Sequence, residues 1–312
     1  MKLLNALSVV AAALSLAGPA LAAPPGNADR IQVGGNEPVF PESITATSDG
    51  TIYTSSIGLG VVFKAAPGAR QASAWTQKPK NGPQNILGVL ADGKSGTLWA
   101  CYSDMSLFKG NAGETAVLRA IDLRSGKVRR SYKFPDKGFC NDIAIAADGT
   151  VYATDTHGGR IMRLSGGSNA LDAWFKDRKL KGADGIAVMQ DGSLLVTNVL
   201  TDRLYELKVD KDGNPGGLTT LDLLGTVKGP DAIRPGTGGT FYLAENKAGK
   251  VDKVTLTGSK VQLKTAASGY QGPTSMTLQD GKLYILECKV HQYMEAGSHS
   301  PFFIYPVTQP GK

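Results

Sequence analysis

Six polar residues occupy the same position in a sequence pattern that recurs along the chain. Each precedes a two-residue turn signal, such as Asp-Gly or Gly-Gly, by six or seven residues. Equal spacing from the turn implies an equal place in each repeat, so we expect the six side chains to meet around one axis. Carboxylate, amide and hydroxyl oxygens that converge in this way could hold a hard cation. The six residues are Glu42, Asn85, Asn141, Asp184, Asp231 and Thr274.

The three carboxylates of this set predict a metal site. Glu42, Asp184 and Asp231 would repel one another if nothing lay between them, and Ca²⁺ accepts oxygen ligands of this type. We therefore predict one bound divalent cation, with Ca²⁺ favoured over Mg²⁺, Mn²⁺ and Zn²⁺. No His or Cys shares the position, which disfavours a zinc site of the usual nitrogen and sulfur type. The competing interpretation is that the polar residues cap strand starts and face water.

Other polar residues are expected near the same axis. Asn141 and Asn85 would line the mouth of the site and are candidates for binding a substrate. A further set ends the second strand of the repeats and either orients the ligands or lies in solvent. His157 either acts as a general base near neutral pH or lies on a surface loop. The further set is Ser56, Asp155, Asn198, Glu245 and Glu287.

The repeated pattern itself predicts the fold. Its copies start at the six polar residues, at intervals of 43, 56, 43, 47 and 43 residues. Each copy has the pattern of a β-hairpin, because Asp-Gly and Gly-Gly supply the positive φ angles of a tight turn and the flanking residues alternate with period two. Units of about 40–50 residues with three to four strands are typical of propeller blades. We predict an all-β, six-bladed β-propeller, with weaker strands at Gly60–Lys64, Arg160–Leu164, Arg203–Val209 and Lys250–Leu256.

Two β-sandwiches are the competing architecture; they would explain the strands but not the shared period. The interval of 56 residues indicates an insertion in or after the second blade, around residues 104–114, and Ser95-Gly96 offers a rival turn in that blade. We expect the ring to close by pairing a strand near Arg30–Val33 with the C-terminal strand Phe302–Val307.

The composition is that of a folded globular protein. Of 312 residues, 41% are hydrophobic and 20% are charged, which excludes wholesale disorder. Glycine contributes 39 of the 312 residues, which is more than globular proteins usually contain. Many glycines are expected in a chain with many tight turns. The net charge of +7 would attract an anionic partner. Because the sequence has no long run of Lys and Arg, we expect a small-molecule ligand rather than a nucleic acid.

The first 22 residues have the features of a secretory signal peptide. Lys2 provides the positive start, Leu3–Leu16 is mostly apolar, and Ala20-Leu21-Ala22 matches an A-x-A cleavage site. We predict that residues 23–312 form a single propeller domain that is exported, either to a periplasm or as a secreted protein. After cleavage, no segment is expected to span a membrane.

Three cysteines follow the predicted cleavage site. Cys101, Cys140 and Cys288 allow at most one disulfide, and none belongs to a C-x-x-C pair. The favoured interpretation is that all three are small buried hydrophobic residues. A thiolate metal site is not expected.

The region from Glu42 to Lys289 resembles the senescence marker protein / gluconolactonase family of six-bladed propellers, which are related in form to strictosidine synthases and paraoxonases. The most specific segments are GPDAI at Gly229–Ile233 and CNDIAIAADGTVYATDT, which starts at Cys140. The resemblance implies that Glu42 and Asp231 bind a divalent cation and that Asp231 is also the catalytic base. It implies in addition that Asn141-Asp142 contributes to the substrate pocket.

Two positions depart from the family pattern. Asp184 stands where the family usually has Asn, which adds a negative charge to the metal site. Phe139 stands where the sugar lactonases of the family have Arg, two residues before Asn141. The guanidinium that would hold a sugar acid is therefore missing, and Phe139 would form an apolar wall for a more apolar substrate.

Three functions remain open at this point. The first is a divalent-metal-dependent hydrolase that acts on a lactone or related ester at the channel mouth. The second is a non-catalytic, metal-containing propeller that binds a small ligand or a protein in the extracytoplasmic space, since a fold does not fix an activity. The third is a lyase or C–N bond-forming enzyme, for which the sequence offers no dedicated base.

Overall fold

The computed structural model describes residues 28–106, 113–293 and 301–308. Over these residues the chain forms β-strands and short 3-10 helices, among them Arg178–Leu180 and Val290–Gln292. In this part of the chain, no helix has the length and hydropathy needed to cross a membrane. The predicted signal peptide lies outside the described residues, so it stays a prediction.

The strands form blades in which each strand pairs with the next one along the chain. Blades 1 to 3 follow one another in this way. Blade 1 contains β2 (Ile44–Ala46), β3 (Ile52–Thr54), β4 (Phe63–Ala65) and β5 (Gln71–Ala74). Blade 2 contains β6 (Asn85–Asp92), β7 (Thr97–Ser103), β8 (Val117–Asp122) and β9 (Val128–Lys133). Blade 3 contains β10 (Cys140–Ile145), β11 (Val151–Asp155), β12 (Arg160–Leu164) and β13 (Asp172–Lys176).

Blades 4 to 6 repeat the arrangement, with one extra strand in blade 5. Blade 4 contains β14 (Ala183–Val188), β15 (Leu194–Asn198), β16 (Arg203–Val209) and β17 (Pro215–Thr220). Blade 5 contains β18 (Asp222–Leu224), β19 (Pro230–Pro235), β20 (Phe241–Glu245), β21 (Lys250–Thr257) and β22 (Lys260–Ser268). Blade 6 contains β23 (Pro273–Gln279), β24 (Lys282–Glu287), β25 (Phe302–Thr308) and β1 (Ile31–Val33).

The innermost strands make a closed ring. Each of β2, β6, β10, β14, β19 and β23 contacts the corresponding strand of the next blade, and β23 contacts β2. Ring closure uses β1, which pairs antiparallel with β25 and places Ile31 opposite Ile304. On its other edge β1 pairs in parallel with β5, so blades 6 and 1 share one continuous sheet. The six-bladed propeller and its predicted closure are both confirmed.

The turns between the first two strands have the chemistry that the repeat predicted. In blade 3, the Asp148 carboxylate accepts the backbone N–H of Thr150 at 2.9 Å, and Gly149 takes a φ of +87°. In blade 4, Asp191 accepts the N–H of Ser193 at 3.0 Å, and Gly192 has a φ of +86°. A side-chain oxygen that closes the turn on its own backbone explains why aspartate precedes glycine.

Apolar residues from adjacent blades pack against each other and hold the ring together. At the interface of blades 3 and 4, Ala144 and Tyr152 belong to the same buried cluster as Ile186, Leu194 and Val196. Equivalent clusters join the other blades. Burying one face of every sheet against its neighbour gives each hairpin the apolar contacts that it lacks alone.

The innermost strands of blades 2 to 6 share an irregularity close to where they start. The pairing register shifts between Cys140 and Ile143, between Ala183 and Ile186, and at the matching places of the other three blades. A bulge of this kind turns side chains toward a new direction and leaves peptide groups without a ladder partner. In blades 3 to 6 it falls at the predicted polar residues.

The cysteines correct one expectation. Cys101 of β7 and Cys140 of β10 form a disulfide between blades 2 and 3, with Cα atoms 5.1 Å apart. The interpretation of all three as free hydrophobic residues was therefore wrong for two of them, because strands 39 residues apart in sequence lie side by side at the ring. Cys288 is buried and free, as expected. The predicted insertion lies between β7 and β8, where residues 107–112 are outside the described part.

Candidate functional site

Three carboxylates meet at one end of the propeller channel. Glu42 precedes β2, and Asp184 and Asp231 are the second residues of β14 and β19. One carboxylate oxygen from each lies within 4.8 Å of the other two. All three side chains are buried, with relative exposures of 8%, 7% and 5%. Residues from blades 1, 4 and 5 thus come together around the channel axis, as their shared position in the repeat predicted.

The donor set fits a hard cation. Two oxygens bound to one Ca²⁺ at about 2.4 Å lie at most roughly 5 Å apart, which is compatible with the spacing of these three carboxylates. Among the described residues, Glu42 Oε2 and the nearby Asn141 Oδ1 are buried and have no hydrogen-bond partner. Buried oxygens are seldom left without a partner. A divalent ion that accepts carboxylate oxygens would satisfy Glu42 Oε2, and Asn141 Oδ1 stays able to accept a hydrogen bond from another molecule.

The protein environment disfavours the charged forms of all three carboxyl groups. Burial is the largest cause and raises the pKa of Glu42, with repulsion from Asp184 and Asp142 adding to it. Burial likewise raises the pKa of Asp184 well above its usual range, and so does its neighbour Asp231. The pKa of Asp231 is raised by burial and then by Glu42. A group of carboxyls in this state binds either protons or a cation.

A fourth buried carboxylate lies in the channel but has its own cation. Asp142 receives both terminal nitrogens of Arg234, at 2.6 and 2.7 Å, and also accepts the backbone N–H of Ile186 at 3.0 Å. Arg234 comes from β19, three residues after Asp231, and is itself buried. This bidentate pair joins blades 3, 4 and 5 across the channel.

Two threonines hold the backbone of the aspartates. Thr197 accepts the N–H of Gly185 in its own blade at 2.7 Å and donates to the carbonyl of Asp231 in the next blade at 2.7 Å. Thr154 does the same one blade earlier: it accepts the N–H of Asp142 and donates to the carbonyl of Asp184 at 2.6 Å. These are peptide groups in the bulged segments of the inner strands, so each hydroxyl replaces a missing ladder bond.

The third carboxylate is fixed in a related way. Thr274 of blade 6 donates its hydroxyl to the carbonyl of Glu42 in blade 1 at 2.6 Å. The thiol of Cys288 lies beside Thr274, and its pKa is raised by burial and by the charges of Glu42 and Asp231. Each of the three carboxylate residues therefore has its main chain held by a threonine of the preceding blade.

The side chains of Asp231 and Asp184 also have specific neighbours. Asn246 donates to Asp231 Oδ2 at 2.7 Å, while Asp231 Oδ1 accepts the N–H of Ala232 at 3.0 Å. Asn141 hydrogen-bonds with Asp184, which opposes the rise in the pKa of that carboxyl. These amides orient the carboxylates without neutralising them.

Polar residues at or just after the ends of the second strands act as clamps: their side chains hydrogen-bond to the backbone of the linkers that lead into the inner strands. Asp155 accepts the backbone N–H of Phe139 at 2.8 Å, and Asn198 donates to the carbonyl of Lys181 at 2.8 Å. In blades 1, 5 and 6, Ser56, Glu245 and Glu287 bind the corresponding backbone segments. Each clamp holds the linker two or three residues before one of the polar ring residues. Among the described hydrogen bonds, none joins these side chains to the three carboxylates, so they act on the loops.

The other candidates from the sequence have different surroundings. Asn85 is partly buried; its amide nitrogen donates to the carbonyl of Ile57, and its oxygen accepts the N–H of Met105. It thus connects loops of blades 1 and 2. Phe139 is only 2% exposed, immediately before the disulfide-bonded Cys140. His157 is exposed on the turn after β11.

Sequence reasoning missed Arg234, Asn246, Thr154 and Thr197, whereas Thr274 was among the predicted ring residues. Thr154 and Thr197 each follow a polar ring residue by thirteen positions, so their shared spacing was a signal that could have been used. Arg234 has no counterpart in the other repeats, and Asn246 stands on a turn beyond its strand. Neither has a periodic signal.

No protein-family model matches this sequence, and no curated protein is detectably similar to it. Solved structures do share its architecture. A luciferin-regenerating enzyme has 14% sequence identity and a TM-score of 0.66, covering 89% of this chain and 93% of that chain. A gluconolactonase from Xanthomonas campestris has 14% identity and a TM-score of 0.63, with 87% of each chain covered.

A lyase shares the same fold. A catalytically inactive virginiamycin B lyase from Staphylococcus aureus has 17% identity and a TM-score of 0.57, covering 85% of this chain and 79% of that chain. At such low identities the likeness establishes the architecture, which serves several chemistries. The predicted resemblance to gluconolactonase propellers is confirmed at the level of the fold.

Proposed function

We propose that this protein is an exported, divalent-metal-dependent hydrolase of the gluconolactonase type, which acts on a lactone or related ester at the channel mouth. The observation that carries the proposal is the meeting of Glu42, Asp184 and Asp231, buried and with oxygens within 4.8 Å of one another. Among the described ion pairs, none neutralises these three groups. A cation bound between them would remove the cost of burying unpaired charge.

The cation, when bound, would polarise a carbonyl oxygen and lower the pKa of a bound water. The protein's own contribution is to hold that chemistry in place. Glu42, Asp184 and Asp231 would be the ligands, and we favour Ca²⁺ because the donors are all oxygens. Asp231 would also accept a proton from the attacking water. Its Oδ2 is oriented by the amide of Asn246, as suits a general base.

Two neighbours are proposed to select the substrate. Asn141 has a buried amide oxygen with no hydrogen-bond partner among the described residues, and it would orient a polar group of the substrate. Phe139 stands where a sugar-acid lactonase has Arg, and it would favour a more apolar lactone or ester. Asn85, whose amide binds two loops, would support the mouth from the side of blades 1 and 2.

The disulfide supports the proposed export. Cys101 and Cys140 form a buried cross-link between two blades, and structural disulfides persist mainly in oxidising compartments. This agrees with a signal peptide at residues 1–22.

One observation favours a second candidate, a non-catalytic binding propeller. All three carboxylates are less than one tenth exposed, so a cation there could serve to brace the channel or to hold the carboxylate of a ligand. In that case metal would bind without any hydrolysis.

A single set of measurements separates these functions. Metal-stripped protein is titrated with Ca²⁺, Mg²⁺, Mn²⁺ and Zn²⁺ by calorimetry, and a panel of lactones and aryl esters is assayed with and without EDTA. We expect one ion per chain and hydrolysis that EDTA abolishes and Ca²⁺ restores. Metal uptake without hydrolysis would favour the binding propeller, and no uptake of any ion would contradict the site.

A further inference from the structure

The face of the propeller on which the inner strands begin has a basic arc that crosses blades 3 to 5. Its five cations are exposed and stand on the segments that lead into β14 and β19 and on the turn after β20. The arc borders the channel mouth, because β14 and β19 carry Asp184 and Asp231 near their starts. The cations of the basic arc are Arg178, Lys179, Lys181, Lys228 and Lys247.

Contacts among the loops make the basic arc one continuous surface. The amide nitrogen of Asn198 donates to the carbonyls of Lys179 and Lys181 at 2.9 and 2.8 Å. The oxygen of the same amide accepts the N–H of Leu200 at 3.1 Å, in the turn between β15 and β16. From the other side, the ammonium of Lys247 approaches a carbonyl of this turn at 3.4 Å. The turn is therefore held between the cations of the two neighbouring segments.

Leu200 lies in the middle of the basic arc. Among the described residues it has the most exposed large apolar side chain, at 70%. It lies against Gly182, where a β-carbon would come within 2.7 Å of Leu200 Cγ, and Gly182 directly follows Lys181. Single exposed leucines are common on protein surfaces. This one differs because its turn is held in place and cations stand on both sides of it.

The opposite ends of blades 3 and 4 have the reverse composition. Five aspartates lie at or beside the turns there, and three of them pair with Arg163, Lys208 or Lys211. In the basic arc, the neighbouring Asp177 and Asp202 accept backbone N–H groups, and none of the described ion pairs includes a cation of the arc. This polarity would orient the channel mouth toward a negatively charged surface. The five aspartates are Asp148, Asp172, Asp191, Asp210 and Asp212.

Cations around an exposed apolar side chain are features of a surface that binds a membrane from outside. Lysine and arginine are attracted by the negative potential of anionic headgroups. Their long apolar stems let the charged ends stay among the headgroups while a neighbouring leucine enters the boundary of the acyl chains. A soluble anion would interact with the cations but would leave Leu200 in water.

We propose that the basic arc and Leu200 form a docking surface for a bilayer rich in anionic phospholipid. Lys179, Lys181 and the other cations of the arc bind the headgroups, and Leu200 inserts between them. In this orientation the channel mouth faces the bilayer. Vesicle binding needs no hydrolysis, so this proposal and the proposed function stand or fail separately.

Vesicle sedimentation of the full chain tests the proposal. The probes are vesicles of phosphatidylcholine alone and vesicles of equal parts phosphatidylcholine and phosphatidylglycerol. The ratio of the two partition coefficients is compared among variants, because the apolar segment Leu3–Leu16 is the same in all of them. Wild type is expected to prefer the anionic vesicles at least about 100-fold at low salt and to lose most of this preference at high salt. Equal binding to both vesicles would overturn the proposal.

A double charge reversal tests the cations. Each lysine near an anionic surface contributes about fivefold to binding, so Lys179→Glu/Lys181→Glu should lower the preference at least about 25-fold. Lys260→Glu/Lys264→Glu is the matched control, because both are exposed lysines of β22 in the outer part of blade 5. It has the same change in net charge and should keep nearly the wild-type preference. An equal loss in the two double variants would overturn the proposal.

Leu200→Ser tests insertion without a change of charge. It should lower the partition coefficient on anionic vesicles about fivefold and leave the salt dependence as in wild type.

Leu224→Ser is the control for this variant. Leu224 is 58% exposed in β18, on the outer edge of blade 5, and its loss should leave vesicle binding as in wild type. Equal losses for the two serine variants would overturn the proposal. Wild-type binding by Leu200→Ser, with the charge reversal still effective, would overturn the bilayer as the partner and favour a soluble anionic polymer.

Discussion

The propeller channel contains two kinds of buried carboxylate, and they differ in what neutralises them. Asp142 has a guanidinium from Arg234 on both of its oxygens. Glu42, Asp184 and Asp231 have amides and peptide groups around them and, among the described ion pairs, no cation. The sequence repeat places Glu42, Asp184 and Asp231 near one axis, and Asp142 directly follows the ring residue Asn141. Arg234 forms an ion pair with Asp142 but acts on Glu42 and Asp231 only through the longer-range attraction of its charge.

The difference separates a charge that the fold itself neutralises from charges that it leaves without an ion-pair partner among the described residues. A carboxylate that is paired with a side chain of the fold cannot replace that side chain by an ion from solution without a large loss of free energy. Carboxylates that lack a built-in cation keep their affinity for an ion from solution. Variants that remove either kind should therefore have opposite effects on the stability of the metal-free protein.

The largest expected effect is on the paired carboxylate. Arg234→Met leaves Asp142 buried without a cation, so the free energy of unfolding should fall by about 3–5 kcal/mol, with or without Ca²⁺. Urea unfolding followed by fluorescence measures this value. The double variant Asp142→Leu/Arg234→Met should recover most of the loss. An Arg234→Met protein as stable as wild type would show that the pair does not carry a buried charge.

The next effect concerns the unpaired group. Asp231→Ala removes one ligand and the proposed base, so Ca²⁺ affinity should fall at least about 100-fold, or roughly 2.7 kcal/mol, and any hydrolysis should be lost. The metal-free variant should nevertheless melt at a higher temperature than metal-free wild type, because one repelling carboxylate is gone. Calorimetric titration and thermal melting test the two parts.

Asp212→Ala is the control for this variant. Asp212 is exposed on the turn between β16 and β17 and pairs with Lys211. Its removal should change neither Ca²⁺ affinity nor melting temperature appreciably. A metal-free Asp231→Ala protein that melts below wild type would contradict the unpaired state of the three carboxylates.

Thr197→Val tests whether the threonines position the ligands. It removes the donor to Asp231 and the acceptor for Gly185, so the protein should lose about 1–3 kcal/mol of stability. We expect Ca²⁺ affinity to drop about tenfold, or roughly 1.4 kcal/mol. Thr197→Ser keeps the hydroxyl and should restore the affinity. Equal Ca²⁺ affinities for the Val and Ser variants would assign Thr197 a purely structural role.

The raised pKa values predict how stability depends on pH. For Glu42, Asp184 and Asp231 the folded pKa lies above the unfolded one, so the folded state binds more protons between the two values. Metal-free protein should thus lose stability as pH rises from about 4, the ordinary range of these carboxyl groups, through their raised pKa values in the folded state. Melting in EDTA at pH 5 and pH 8 measures the trend.

Calcium should weaken that trend. The ion requires the ionised carboxylates, so its affinity rises with pH, and the Ca²⁺-loaded protein should lose less stability between pH 5 and pH 8 than the metal-free protein. Glu245, whose pKa is raised to about 7 mainly by burial, contributes a slope of the same sign in both states. The part of the slope that Ca²⁺ removes therefore belongs to the three carboxylates. Identical slopes with EDTA and with Ca²⁺ would contradict the metal site.

The smallest effect is expected for Asp184→Asn. This change removes one charge but keeps an oxygen ligand, so Ca²⁺ affinity should fall by about fivefold, or roughly 1 kcal/mol, and activity should persist at saturating Ca²⁺. Titration and assay at high Ca²⁺ concentration measure both. A complete loss of activity would show that Asp184 does more than bind the ion.

Much of the fold could be predicted because it repeats. The strands at Arg160–Leu164 and Arg203–Val209 have the predicted bounds, and the closure of the ring pairs the two predicted segments. The strand expected at Gly60–Lys64 instead covers Phe63–Ala65. Gly60 takes a φ of +66° beside the carbonyl of Gln84, so the chain is still in a loop at that point.

The predictable part of the site is the part that follows the repeat. The common phase of Glu42, Asp184 and Asp231 was enough to place them on one axis. Arg234 and Asn246 have no counterparts in the other blades, so the repeat does not predict them. Their contacts depend on which residues the folded ring brings together across the channel. The Cys101–Cys140 disulfide is similar, since three cysteines allow several pairings.

The closure of the ring has a consequence for how the chain folds. Strand β1 near the start of the described chain pairs with β25 at its end, Ile31 opposite Ile304, and joins β5 on its other side. The sheet that connects the first and last blades therefore contains contacts of very long sequence separation, which carry a high loop-closure entropy and form slowly. A growing chain cannot complete this sheet until β25 has been synthesised. Until then the edges of β1 and β24 that pair with β25 stay open, and these are the surfaces on which a shortened chain would aggregate.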